Sequence, residues 1–165
     1  MFPQVTDRRC FHTPEDMLLQ LQDFVPEAEF RIPLNLDIHG VKTLLAVKNG
    51  RSTGTTFGRV NGLESITRSY PEHGISQDAV EFIICGYDTA TAKNDQFSDH
   101  GDSGAFAVGR DGRLFSQITG GGGSTDRTDK TYTTPYYALQ KAIKKKYPES
   151  YLLPPLPKLR SVATS

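Results

Sequence analysis

Hydrophobic residues change their spacing twice along this chain. Met17, Leu18, Leu21, Phe24 and Val25 fall three and four apart, the spacing of one helix face. Ahead of them, Thr13-Pro14-Glu15-Asp16 supplies a capping hydroxyl, a proline suited to the first helical position, and two acids for the positive end of the helix dipole. Pro26 closes the element. The spacing therefore predicts an amphipathic helix over 14–25, then a loop over 27–40 in which Pro33 allows an edge strand at most.

From Val41 the apolar period becomes two. Asn49-Gly50, Asn61-Gly62 and Asp111-Gly112 are dipeptides that enter left-handed backbone at little cost, and β-rich runs flank each of them. Strands are predicted over 42–48, 55–60, 63–69, 79–86, 104–109 and 113–119. Six closely spaced strands with no helix between them predict a mainly β fold, an antiparallel barrel or sandwich.

Near the end the spacing turns helical again, with Tyr136, Leu139, Ile143 and Tyr147 on one stripe. Thr134 is expected to cap this helix and Pro135 to begin it. Lys144, Lys145 and Lys146 fall in its last turn, where cations suit the negative end of the dipole. That placement reads the lysine run as a helix end and not as a nucleic-acid patch. The chain thus divides into an N-terminal helix and loop extension over 1–40, a β-barrel with a closing helix over 41–150, and an irregular tail over 151–165.

Composition narrows the function classes. The 165 residues suit one domain, and 19 basic against 19 acidic residues give no net charge to draw nucleic acid or a membrane surface. No apolar run approaches the ~18 residues that cross a bilayer, and Met1 to Cys10 has no hydrophobic signal core. Cys10 and Cys85 are the only cysteines, too few for a disulfide framework, so an intracellular, reducing location is expected. Histidines and cysteines do not cluster at ligand spacing, so neither a metal nor a cofactor is expected. The run Gly120 to Gly123 is not followed by Gly-Lys-Ser/Thr, which argues against a phosphate loop.

The chemically informative segment is Ser98-Asp99-His100-Gly101-Asp102-Ser103-Gly104, with an apolar strand directly after it. By composition, Gly-Asp-Ser-Gly should appear by chance in well under about one in a hundred chains of this length. A serine attacking a carbonyl needs backbone N–H groups aimed at the developing oxyanion, and losing one donor costs roughly 3–4 kcal/mol of transition-state stabilisation. Glycines on both sides let the backbone take that shape.

These residues resemble the nucleophile loop of the trypsin/chymotrypsin-like serine proteases. Gly50-Arg51-Ser52-Thr53-Gly54, followed by Thr56 to Gly62, is similar to the second-barrel pattern of intracellular, fungal-type members. Tyr132-Thr133-Thr134-Pro135 leading into a helix resembles that family's closing helix. The resemblance covers about 41–147 and implies a six-stranded Greek-key barrel, the nucleophile-bearing C-terminal half of the fold. It implies Ser103 as nucleophile and the N–H groups of Gly101 and Ser103 as the oxyanion hole. Asp102 is implied as a loop-structuring residue. The implied substrate pocket runs over Phe97, His100, Ile118, Thr119, Gly120, Gly121 and Gly122.

The departures matter equally. In the family the general base and its orienting Asp lie on a first barrel of about a hundred residues, whereas only about forty residues precede Val41 here, and no Ala-Ala-His-Cys-like context is present. His12 and His73 read as surface and loop-tip residues, and His39 precedes the first strand. His100 is expected at the pocket rim. No Ile-Val-Gly-Gly-like start is available to pair with Asp102, so that carboxylate must find backbone N–H groups or another donor. Three readings follow. One is a degenerate half-protease acting as an interaction module on a peptide or protein partner. Another is an endopeptidase fragment completed by a complementary N-terminal barrel chain or by a homodimer mate. The third is an unrelated all-β binding domain.

Overall fold

The computed structural model describes residues 20–37, 39–69, 74, 77–87, 96–123 and 130–152. Residues 14–19 of the predicted 14–25 helix lie outside them, as do Cys10, His12, His73 and the tail from residue 153 onward. Residues 20–25 are described and are not helical. They form an extended strap in which Phe24 bridges Leu114 in parallel. The Val25 amide donates to the Leu114 carbonyl at 2.8 Å, and Val25 is fully buried in the core. Helical spacing misled here because Phe24 and Val25 each meet their own partner in the fold, Phe24 at Tyr136 and Val25 in the barrel core, while Leu21 stays exposed.

A short helix, α1 (Glu27–Arg31), follows where a loop is predicted. Pro26 precedes its first turn, Glu27 and Glu29 meet the positive end of the dipole, and Arg31 meets the negative end. Phe30 anchors it, with ring centroids 4.8 Å from Phe82, 5.6 Å from Tyr137 and 6.1 Å from Phe115. Arg113 ties it to the opposite hairpin through two 2.7 Å bonds to Glu29.

The strands are β1 (Asn35–Leu36), β2 (Lys42–Gly50), β3 (Gly54–Ser69), β4 (Gln77–Gly86), β5 (Phe106–Gly109), β6 (Leu114–Gly122) and β7 (Lys130–Pro135). All pair antiparallel, in the order β1-β2-β3-β4-β7-β6-β5. β5 returns to β2 through Ala46↔Gly109 and Val47↔Val108. β2 to β7 therefore form a closed six-stranded antiparallel barrel, and β1 adds one extra strand at the edge of β2. Closure removes the exposed strand edges that an open sheet would leave.

Three details depart from the sequence reading. Asn61-Gly62 is not a hairpin, because β3 runs through it with a register shift between Asn61 and Glu64. The first hairpin turns over 51–53, and Gly54, not Gly50, has the positive φ, 63°. β7 was missed because its Lys130-Thr131-Tyr132-Thr133-Thr134-Pro135 sequence buries threonines instead of aliphatics: Thr131 is 1 % and Thr133 0 % exposed.

The core gathers Val25, Phe30, Leu44, Ala46, Val60, Phe82, Ile84, Phe97, Ala107, Phe115 and Ile118. On β2 the residues Leu44, Ala46 and Lys48 are spaced two apart and all are buried, so Lys48 occupies a row that is otherwise apolar. α2 (Tyr136–Lys146) closes the chain with Pro135 at its N-cap position and Lys144 to Lys146 in its last turn. Thr134 does not cap it, since its hydroxyl donates to Glu81 at 3.4 Å. Its attachment is through Tyr136 and Tyr137, while Ile143 and Tyr147 are exposed. Among the described residues no helix is long and apolar enough to cross a membrane.

Candidate functional site

The loop between β4 and β5 carries Ser103, and local hydrogen bonds set its shape. The Asp102 amide donates to the Asp99 carbonyl at 3.0 Å, and the Ala105 amide to the Asp102 carbonyl at 3.0 Å. These are two consecutive tight turns. Gly104 N–H to the Ile118 carbonyl at 2.8 Å, and Ile118 N–H to the Ala105 carbonyl at 2.9 Å, fasten the loop to β6. Gly101 has φ 99° and Gly104 φ 88°, values that a side chain would strain. That requirement is the physical reason for glycine on both sides of Asp102-Ser103.

Asp102 is the internal anchor. Its side chain is wholly buried and faces Lys48 Nζ at 2.9 Å, which is wholly buried too. Thr53 Oγ1 donates to Oδ2 at 2.7 Å, the Ser52 amide to Oδ1 at 2.7 Å and the Asp99 amide to Oδ2 at 3.2 Å. Burial alone would raise the carboxyl pKa. The Lys48 ammonium, the Thr53 hydroxyl and the two amides outweigh it and hold the group far below the usual carboxylate range. Lys48 itself also donates to Thr53 Oγ1 and to the Gly54 carbonyl. The β2–β3 turn thus clamps the Ser103 loop from outside, and Ser52 Oγ donates a bond to the His100 carbonyl. Gly50 leaves space for the pair, since a Cβ there would lie 2.5 Å from Asp102 Cγ and 2.9 Å from Lys48 Nζ.

Lys48 was not singled out from the sequence, although a signal was present. A lysine four residues after Leu44 and two after Ala46 in a period-two strand points inward, and an inward ammonium demands a carboxylate partner.

Ser103 is exposed and lines a pocket of about 260 Å³ together with His100, Ile118, Thr119, Gly120 and Gly121. Ser98 and Asp99, which begin the same segment but were not among the implied pocket residues, complete the wall. Ser98 is buried and shares a 2.7 Å hydroxyl pair with Thr131. Phe97 is elsewhere: at 1 % exposure it belongs to the core, where Gly58 makes room for its ring. Gly122 is not in the pocket wall but beside the Tyr132 ring.

Among the described residues, neither the Gly101 nor the Ser103 amide donates a hydrogen bond, and the Ser103 hydroxyl has no partner. Two undonated amides on the loop that carries an exposed hydroxyl are donors that an incoming carbonyl or carboxylate oxygen could use. A base is a different matter. The imidazole of His100 lines the same pocket, yet no hydrogen bond joins it to Ser103. His39 sits in the β1–β2 connection, away from the pocket wall.

No protein-family model matches the chain, and no curated protein is similar to it in sequence.

Proposed function

We propose that this chain is the nucleophile-bearing barrel of a chymotrypsin-like serine protease and that, on its own, it serves as a peptide-binding interaction module. One observation carries the reading: exposed Ser103 lines a pocket, its own amide and that of Gly101 are undonated, and its loop is anchored by a buried ion pair. The closed barrel and its strand order are compatible with that fold. A seryl hydroxyl stays a weak nucleophile until a neighbouring base takes its proton. In the isolated chain the loop therefore holds a carbonyl or carboxylate oxygen without cleaving the peptide. The half-buried, free Cys85 thiol suits a reducing, intracellular setting.

A second reading shares the same site. If another chain supplies an imidazole at Ser103, the loop becomes half of an endopeptidase. The exposed Ser103 hydroxyl favours it, because a loop that only binds an oxygen through its amides has no need of one.

A fluorophosphonate probe with free imidazole as external base tests both. Imidazole takes the Ser103 Oγ proton, the Oγ–P bond forms, and the P–F bond breaks with loss of fluoride. We expect no adduct without imidazole and a Ser103 adduct that grows with imidazole, absent in Ser103→Ala. Labelling without imidazole would contradict the missing base. No labelling at any imidazole concentration would contradict the nucleophile assignment.

A further inference from the structure

Glu81 on β4 is 5 % exposed, and its carboxylate meets only neutral donors. Thr119 Oγ1 donates to Oε1 at 2.6 Å, Thr134 Oγ1 to Oε1 at 3.4 Å, and Thr67 Oγ1 to Oε2 at 3.2 Å. Among the described residues no cation lies within ion-pair distance of it. The contrast with Asp102, which has Lys48, is sharp. A carboxylate that has left water is ordinarily paired with a cation.

Its surroundings point to where a cation would come from. Glu81, Thr67 and Tyr132 line a groove of about 440 Å³ that shares Thr119, Gly120 and Gly121 with the Ser103 pocket. At Gly120 a Cβ would meet no atom within 4 Å, so the shared wall is open. Tyr132 contributes an aromatic ring, and carboxylates and aromatic faces both attract cations. Arg68 also lines the groove, but Asp78 answers its charge through bonds of 2.5 and 2.8 Å.

We propose that this groove is a subsite for a guanidinium or ammonium side chain of a bound peptide, with Glu81 as counter-charge and Tyr132 as the aromatic wall. Only the peptide's placement beside Ser103 rests on the preceding functional reading. The charge recognition does not.

Calorimetric titration with an acetylated, amidated Gly-Arg-Gly peptide and its citrulline isostere tests the idea. The wild-type chain should bind the arginine peptide at least tenfold tighter than the citrulline peptide. Glu81→Gln should bring the two affinities together, and Ser103→Ala should leave the preference intact. Tyr132→Leu gives an independent arm if Glu81→Gln does not fold: it should weaken the arginine peptide and not the citrulline one. Equal affinities in the wild type, or a preference that survives loss of Glu81, would overturn the proposal. Free agmatine binding as tightly as the arginine peptide would assign the groove to small cations and overturn the peptide subsite. Neither result depends on Ser103 labelling, so failure here and failure of the nucleophile assignment are separable.

Discussion

Lys48 and Asp102 lie 54 residues apart in sequence and 2.9 Å apart in space, with both side chains shut away from water. One sits on an inward row of β2 and the other directly precedes Ser103, so the barrel wall and the Ser103 loop share one ion pair. Removing one partner leaves the other charge buried and unpaired. Lys48→Met should therefore destabilise the chain by about 3–5 kcal/mol. Lys48→Met with Asp102→Asn should cost less than the sum of the single changes, as read by denaturant unfolding. Strict additivity would mean that the pair does not couple loop to barrel.

Acid should act through the same pair. The Asp102 carboxyl is held below its unfolded value, near about 3.9, so its contribution is fully present above that pH. It is lost as pH falls below about 4 toward the folded value. The wild-type Tm should drop steeply in that window. Asp102→Asn should start lower at neutral pH and show a shallower drop. Parallel curves would remove Asp102 from the acid response.

The two glycines around Asp102-Ser103 should differ in their response to alanine. A Cβ on Gly101 would lie 2.5 Å from Ser52 Oγ, which is already engaged with the His100 carbonyl, and φ there is 99°. Gly104, with φ 88°, has nothing within 4 Å of such a Cβ. Gly104→Ala should cost only backbone strain, roughly 1–2 kcal/mol. Gly101→Ala should cost more, and should also reduce imidazole-dependent labelling of Ser103. An equal cost for both, measured by chemical denaturation, would discount the Ser52 contact.

The N-terminal strap offers a third contrast. Val25 is fully buried and hydrogen-bonded to Leu114, whereas Leu21 is 40 % exposed. Val25→Asp should abolish cooperative folding, because it places a carboxylate in the core with no cation to meet it. Leu21→Asp should shift Tm by only a few degrees. A large loss for Leu21→Asp would mean that residue 21 is covered by something in solution.

Much of the fold was legible because period-two runs and an Asp-Gly turn state their geometry locally. β2, β4 and the β5–β6 hairpin appear close to where the alternation placed them. β7 was hidden because threonines fill its buried face, and the 20–25 strap mimicked a helix because its apolar spacing serves contacts with the barrel. At the site, Gly101-Asp102-Ser103-Gly104 announced the loop from sequence alone, whereas Lys48 and Glu81 needed the fold. The period-two strand aims Lys48 inward, but only the barrel's closure brings it to Asp102 and leaves Glu81 with hydroxyl donors and, among the described residues, no cation. Phe97 shows the converse: the family resemblance implied it at the pocket, but its ring is taken up by the space that Gly58 leaves in the core.

The central claim is that the Ser103 loop stands ready to receive an oxygen anion. Amide nuclear magnetic resonance on the labelled chain, titrated with an acetylated tripeptide ending in a free carboxylate, tests it directly. The Gly101 and Ser103 amide signals should move together and saturably, and the C-terminally amidated peptide should move them far less. Unmoved Gly101 and Ser103 amides at saturating peptide would contradict it.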